Sequence, residues 1–468
     1  MAGSSTADTP VHRTLEDRIE IGRQQAQDLP LEQLGDPPSR DGRPDIVETL
    51  VAEGRGRIAE LLPLRHARMA ASPLALLRGS AGVMAATLGA RKSTSLVVQL
   101  CGDAHLSNFG IYASPERDLV FDVNDFDETH PGPFEWDVLR LATSFVTCLQ
   151  AKDDAEKAAA LARRVAKTYQ ETIRDLSEKP TVGVLYERMT AADIEALADE
   201  ADSSAASKDA EAALEKARRR TQERAIARLT EDVDGKTFFK EKPPVLERIT
   251  DATLRGFLES GYAAYVETLP PENQLIARRY AIVDFARKVV GVGSIGTRCF
   301  VVLLEGRDAD DRIILQFKEA TPSVLAPHVK SLGAFPRIDH EGQRVVRGQK
   351  LMQAVSDLFL GWADGMPGTD RQFYGRQLHD MKGGFDVEAA KYATVELYAD
   401  LCARTLARAH ARSGDTVAIA AYLGEDKAFA DAVEVFAVAE AHFVAGDHKR
   451  LTEAIAAGEI AAADTEDA

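Results

Sequence analysis

Asp103 and Asn108 stand five residues apart, directly after the apolar run Ser95 to Leu100. A second apolar run, Leu119 to Val123, leads into Asn124-Asp125-Phe126-Asp127-Glu128. Carboxylate and amide oxygens at the ends of two neighbouring strands suit phosphoryl transfer. That reaction asks a protein for a carboxylate to orient and deprotonate the acceptor, and for oxygen ligands that hold magnesium against the phosphates. Magnesium prefers hard oxygen donors and keeps several waters, so one Asn with one or two Asp suffices. Asp and Asn are also the ordinary residues of turns and helix caps. A lone pair would therefore carry little weight, and Asp122 competes with Asp125 for a metal role.

A glycine turn, Gly291-Val292-Gly293-Ser294-Ile295-Gly296, occurs far downstream. A dinucleotide-binding turn of this form must open a helix and be followed by an acidic residue for the ribose. Here Thr297 to Leu304 is β-branched and aromatic and reads as a strand. A polar turn, Gly306 to Asp311, and a second strand ending in Lys318 follow. Strand, glycine turn, strand, turn and a strand with a terminal lysine is the layout of a kinase lid. Gly291, Gly293, Ser294 and Gly296 would let backbone approach the phosphates, and Lys318 would reach the α/β oxygens. The plain alternative is a surface hairpin with a solvated lysine. Lys318 needs an acidic partner. Glu319 would point to the other face of its strand, so Glu341, at the start of a candidate helix reaching Gln353, is the expected one, although Arg347 and Lys350 share that helix.

The ordered set resembles a known group. Gly102-Asp103-Ala104-His105-Leu106-Ser107-Asn108 resembles the catalytic loop of aminoglycoside and choline phosphotransferases, with Cys101 where they usually have His. Asn124 to Glu128 resembles their metal-binding segment, and Trp136-Asp137-Val138-Leu139-Arg140-Leu141 a helix start that follows it. The resemblance implies that Asp103 is the catalytic base and that Asn108 and Asp125 hold the metal, with Asp127 a further candidate ligand. It implies that Asp137 braces the loop by accepting backbone N–H bonds. His105 reads as an orienting or packing residue.

The order of parts is unusual, because the glycine turn follows the catalytic loop. Residues 46–100 read as helices with one strand and offer no lid of their own. Leu406-Ala407-Arg408-Ala409-His410 resembles a helix that precedes the catalytic loop in those phosphotransferases, yet lies near the C-terminus. The fold expected is α+β, helix-rich and protein-kinase-like, with two lobes in circularly permuted order. Permutation is physically permitted where termini lie close together. The chain also resembles a bacterial family, domain of unknown function 2252, at Leu76 to Gly79, Cys101 to Gly110, Phe121 to Glu128, Gly291 to Arg298, Gly348 to Gln353, Tyr374 to Leu378 and Ala407 to Asp415. Arg78, Arg376 and Arg412 offer guanidinium forks for phosphate or an acidic acceptor, or are surface and helix-end charges.

Periodic apolar residues predict helices within 46–88, Trp136 to Leu149, Ala155 to Leu176, Ala252 to about Ala286, and Lys391 to Ala411 with two more after it. The units expected are a mostly disordered tail over 1–45, the catalytic-loop half over 46–190, a mobile charged helical insertion over 191–245, helices and the lid over 246–385, closing helices over 386–460, and a frayed tail over 461–468. With 468 residues, 45% of them apolar, a sizeable core can form. The net charge of −17 speaks against general nucleic-acid or anionic-membrane binding. Four scattered cysteines read as reduced thiols, the opening residues lack the apolar stretch of a secretory signal, and no apolar run could span a bilayer, so a cytoplasmic protein is expected. Three functions fit: an ATP- and Mg2+-dependent phosphotransferase acting on an undetermined acceptor, a non-catalytic nucleotide-binding regulator, or a metal-dependent phosphoesterase built on the D-x-H form of Asp103-Ala104-His105.

Overall fold

The computed structural model describes residues 13–40, 42–150, 152, 154–291, 293–365, 368–378 and 381–463. Both extreme tails and Val292 lie outside these residues. The chain is mixed α+β, about 52% helical, with several antiparallel sheets.

The largest sheet has six strands. From one edge the order is Gly361–Asp364, Gln372–Gln377, Arg312–Ala320, Cys299–Glu305, Ala281–Lys288 and Leu246–Arg248, every pair antiparallel. Alternation along the strands decides what each face meets. Phe285, Val302, Leu315 and Phe317 face Tyr265 and Val266 of helix Ala252–Thr268. Ala286, Val301, Leu303 and Ile314 face the other way, toward Phe239 and Leu378. Lys318 shares the parity of Ile314, so it leaves the strand on that second face.

The rest of the chain is built on helices Glu135–Gln150, Ala155–Ser177, Tyr392–Ala411 and Ala428–Ala456, which contribute nearly half of the main core. Two small strand systems sit on it. Val97–Leu100 pairs with His130–Pro133, and Phe109–Ala113 forms a hairpin with Leu119–Val123. Their loops carry the acidic residues.

Three expectations change. Residues 15–34 are ordered, not loose. Helix Leu15–Asp28 opens with a Thr14–Asp17 capping box, and Gly22 sits so close to Ala418 that a Cβ there would lie 2.3 Å from its carbonyl oxygen. Gln25 Oε1 accepts from Ser95 N at 2.8 Å, so this helix docks by close approach and hydrogen bonds with little help from an apolar stripe. The charged stretch after 190 is likewise packed. Helix Ser204–Arg219 buries Ala206, Ala210, Ala213, Leu214 and Ala217 in the main core, a narrow alanine face that charge-rich composition conceals. Finally, the helical run from Ala252 stops at Ala277, and Ala281–Lys288 is a strand of the large sheet.

Candidate active site

Asp137, in the first turn of helix Glu135–Gln150, points back at the loop after Val97–Leu100. Its carboxylate accepts Cys101 N at 2.7 Å and Gly102 N at 3.1 Å. His410 Nε2 lies 3.3 Å from the same carboxylate, and Tyr169 Oη is 2.8 Å from His410 Nδ1. The late helix Tyr392–Ala411 thus stands directly behind the early loop. Gly102 has φ +84°, and a Cβ there would meet the Glu128 carbonyl oxygen at 2.1 Å. Gly102→Ala combines a left-handed backbone with a backbone clash, so we expect a loss of about 2 kcal/mol or more. Urea unfolding checks this, and an unchanged midpoint would contradict it.

Asp103 follows. Arg140 Nε donates to Asp103 Oδ1 at 2.6 Å, and Arg140 Nη2 donates to Leu77 O at 2.8 Å. His105 Nδ1 accepts Ser107 N at 3.1 Å, which leaves the ring proton on Nε2, 3.6 Å from Asp103 Oδ2. Burial pushes His105 down to about 4, with Arg140 and Arg78 adding to it against the pull of Asp103. The imidazole is a neutral brace. Asn108 Nδ2 donates to Asp103 O at 2.7 Å, so its amide oxygen is left over for a ligand. Cys101 is a buried thiol held well above its ordinary range by burial and Asp137.

The second acidic loop faces the sheet. Lys318 Nζ forms an ion pair with Asp127 and lies 3.9 Å from Asp125 Oδ2. Tyr374 Oη donates to Asp127 Oδ1 at 2.6 Å, and Ser294 Oγ of the glycine turn to Asp127 Oδ2 at 3.1 Å. Burial works against the Asp127 anion, but Lys318, Tyr374 and Arg376 outweigh it and hold the carboxyl at about 2. Lys318 stays protonated well above its usual range, because Asp125 and Asp127 overcome its burial. Arg376 Nη1 donates to Asn124 O at 3.1 Å, and Arg344 donates to Asp127 O at 3.0 Å and Thr129 O at 2.6 Å.

The glycine turn is tied from below. Arg57 Nη1 donates to Gly293 O at 2.8 Å and Ile295 O at 2.7 Å, and Ile58 N donates to Gly296 O at 2.7 Å. Gly291 lines the same cavity as Gly293 and Ser294. That cavity, about 880 Å³, brings together Asp103, Asn108, Asp125, Asp127, Arg78 and Arg376. Among the described residues, the buried Nε of Arg78 has no hydrogen-bond partner.

Other expected residues lie elsewhere. Arg412 donates to the carbonyls of Met352 and Glu187, so it ties chain segments together and has no place in the cleft. Glu341 pairs with Arg344, one turn along its own helix, and not with Lys318. Glu319 does line the cleft, but it takes Arg298 and Arg371 and not Lys318. Asp122 is buried and accepts Val123 N and Ala354 N, a structural duty. Asp127 is the partner of Lys318, so the ion pair, Tyr374 and Ser294 engage both its oxygens. Arg140, Tyr374 and Arg57 are not singled out by type or spacing, although Arg140 falls inside the Trp136 to Leu141 stretch and Tyr374 opens the Tyr374 to Leu378 stretch.

Magnesium fits the donor set in one way. Among the described residues no trio of His, Cys, Asp or Glu is grouped to hold a metal alone. Asn108 and Asp125 line one cleft and supply two hard oxygens, the number magnesium takes from protein when phosphates complete its shell.

Glu128 also lines the cleft. Burial raises its carboxyl to about 7 from an ordinary 4.5, with Asp103 and Asp127 adding to it while Val324 N and Arg344 oppose. A raised folded-state value means that the folded chain keeps this proton while the unfolded chain releases it, so stability falls as pH rises through that interval. We expect Glu128→Gln to gain on wild type between pH 4.5 and about 7, with a constant difference above. Urea midpoints across pH measure it, and parallel curves would contradict it.

A family model described as "Uncharacterized protein conserved in bacteria (DUF2252)" matches residues 57–454. No curated protein and no solved structure matches. The matched stretch runs from Arg57 beneath the glycine turn, through both acidic loops and the lysine strand, to the last helix, and the chain belongs to this bacterial DUF2252 family.

Proposed function

We propose that this protein is an ATP- and magnesium-dependent phosphotransferase with a kinase-like fold whose two lobes appear in permuted order. The observation that carries the reading is the meeting of Lys318 with Asp127 and Asp125 across the cleft that also holds Asp103 and Asn108. Lysine and acid come from segments 191 residues apart. The lid reading is supported by the path of the chain: a strand, the glycine turn, a second strand, the lysine strand, helix Glu341–Met352, then two strands, the second of which pairs with the lysine strand. The permutation reading is supported by His410, which reaches Asp137 from the C-terminal part of the chain.

Each residue then has a task. Asp103, held by Arg140, takes the proton of an acceptor hydroxyl as that oxygen bonds to the terminal phosphorus and the bond to ADP breaks. The backbone and Ser294 of the glycine turn cover the phosphates, and Lys318 neutralises charge on them. Asn108 and Asp125 would hold magnesium, which supplies positive charge against the phosphate oxygens. Asp127 keeps Lys318 in position before nucleotide enters.

A thermal-shift series with ATP, GTP and magnesium tests the reading. Binding stabilises by mass action, about 2.7 kcal/mol at a ligand concentration one hundred times Kd. We expect a magnesium-dependent rise in Tm for wild type, reduced in Asp125→Ala. No rise with any nucleotide would defeat the proposal.

A further inference from the structure

A second cavity, about 910 Å³, adjoins the catalytic cleft beside helices Ser204–Arg219 and Gln222–Leu229. The two cavities share Ser107, Asn124 and Lys382. Six cationic residues, Lys216, Arg219, Arg220, Arg224, Arg228 and Lys382, line the second cavity against three acidic ones. The chain as a whole carries −17, so this surplus is local and opposite in sign.

The cluster is built into the two helices. Lys216 lies in the last turn of the first helix and Arg220 is its C-cap, and Arg224 and Arg228 are one turn apart on the second, so both helices turn basic residues to the cavity. The opposite faces pack through Ala210, Leu214 and Ala217 on the first helix and Ile226 and Leu229 on the second. Little of this charge is neutralised within the protein. Arg219 pairs with Glu215 at 2.7 Å. Among the described residues, Lys216, Arg224 and Arg228 make no side-chain hydrogen bond or ion pair. Lys382 sits where the cavities join, and burial, Arg376, Lys318 and Arg220 bring its ammonium down to about 8 against the pull of Asp125. Like charges gathered without counter-ions oppose folding and favour an incoming anion.

We propose that this groove holds the acceptor of the phosphotransferase reading, on which the proposal rests, and that the acceptor is a small molecule bearing phosphate esters. Guanidinium forks match phosphate oxygens in pairs. A cavity of this size suits a small ligand. An acceptor anchored on Arg224 and Arg228 would extend its free hydroxyl past Ser107 toward Asp103. There the hydroxyl oxygen bonds to the terminal phosphorus of ATP, its proton passes to the Asp103 carboxylate, and ADP leaves.

Calorimetry at saturating non-hydrolysable ATP analogue and magnesium tests this with fructose 1,6-bisphosphate as the probe, and with fructose and citrate as comparisons. The bisphosphate should bind wild type, and about tenfold more weakly to the double variant Arg224→Ala/Arg228→Ala, whose sites are exposed and whose analogue affinity serves as the control. Fructose should not bind, and citrate should bind about tenfold more weakly than the bisphosphate. No bisphosphate binding to wild type, equal binding to the double variant, or citrate as tight as the bisphosphate would overturn the proposal. Failure of the analogue itself to bind would instead refute the phosphotransferase reading, and with it the acceptor role, whatever the bisphosphate does.

Discussion

Asp103→Asn is expected to lower phosphoryl transfer by about 10²–10⁴-fold while ATP affinity stays at the wild-type value. The effect is large because the replaced oxygen is the proton acceptor, and the cleft lining includes no second free carboxylate set in the same loop. Asn keeps the shape of the side chain and can still accept from Arg140 Nε. Asp103→Ala is a poorer probe. It strands Arg140, whose side chain is only 4% exposed, and breaking a buried pair costs about 3–5 kcal/mol. Single-turnover transfer and calorimetric ATP binding on the Asn variant separate the two roles. Turnover equal to wild type would remove Asp103 from the chemistry.

Lys318→Met should weaken ATP binding and destabilise the protein by up to about 3–5 kcal/mol, since it leaves the partly buried Asp127 anion without its cation. Its pH dependence gives a second signature. In wild type the Asp127 carboxyl is depressed from 3.8 to about 2, so its contribution is complete above 3.8 and is lost as pH falls through 2. Without Lys318, burial is the leading influence left, the carboxyl rises, and the variant gains on wild type as pH falls through the mildly acid range. Adding Asp127→Asn removes the stranded charge. The double variant should recover much of the stability and none of the nucleotide affinity, a non-additive pattern that a double-mutant cycle reads directly. Equal ATP affinity in wild type and Lys318→Met would be fatal to the lid role.

Local spacing made the acidic loops legible. Asp103 and Asn108 share one short turn and Asp125 follows the return strand of the hairpin that leaves it, so a short sequence separation brings them to one side. The strands after the glycine turn are legible for a similar reason, because Thr297 to Leu304 is β-branched and aromatic, whereas Ala281–Lys288 before it falls in a stretch that reads as helix. Long-range choices were not legible. Glu341 was expected for Lys318 because a helix acid suits a lid lysine, but Arg344 lies one turn away on the same helix and captures it. Asp127 wins because it enters from the opposing loop, with Tyr374 and Ser294 donating to the same carboxylate. Arg412 resembled a phosphate fork, yet two backbone carbonyls take its terminal nitrogens. The docking of Leu15–Asp28 and Ser204–Arg219 depends on glycine and alanine faces, which bring backbones close without raising mean hydropathy.

A structure determined with magnesium and a non-hydrolysable ATP analogue tests the central claim most directly. The account predicts the triphosphate beneath Ser294, with Lys318 released from Asp127 onto phosphate oxygens and the metal between Asn108 and Asp125. Nucleotide bound on another surface, with the Lys318–Asp127 pair intact and the cleft empty, would contradict it.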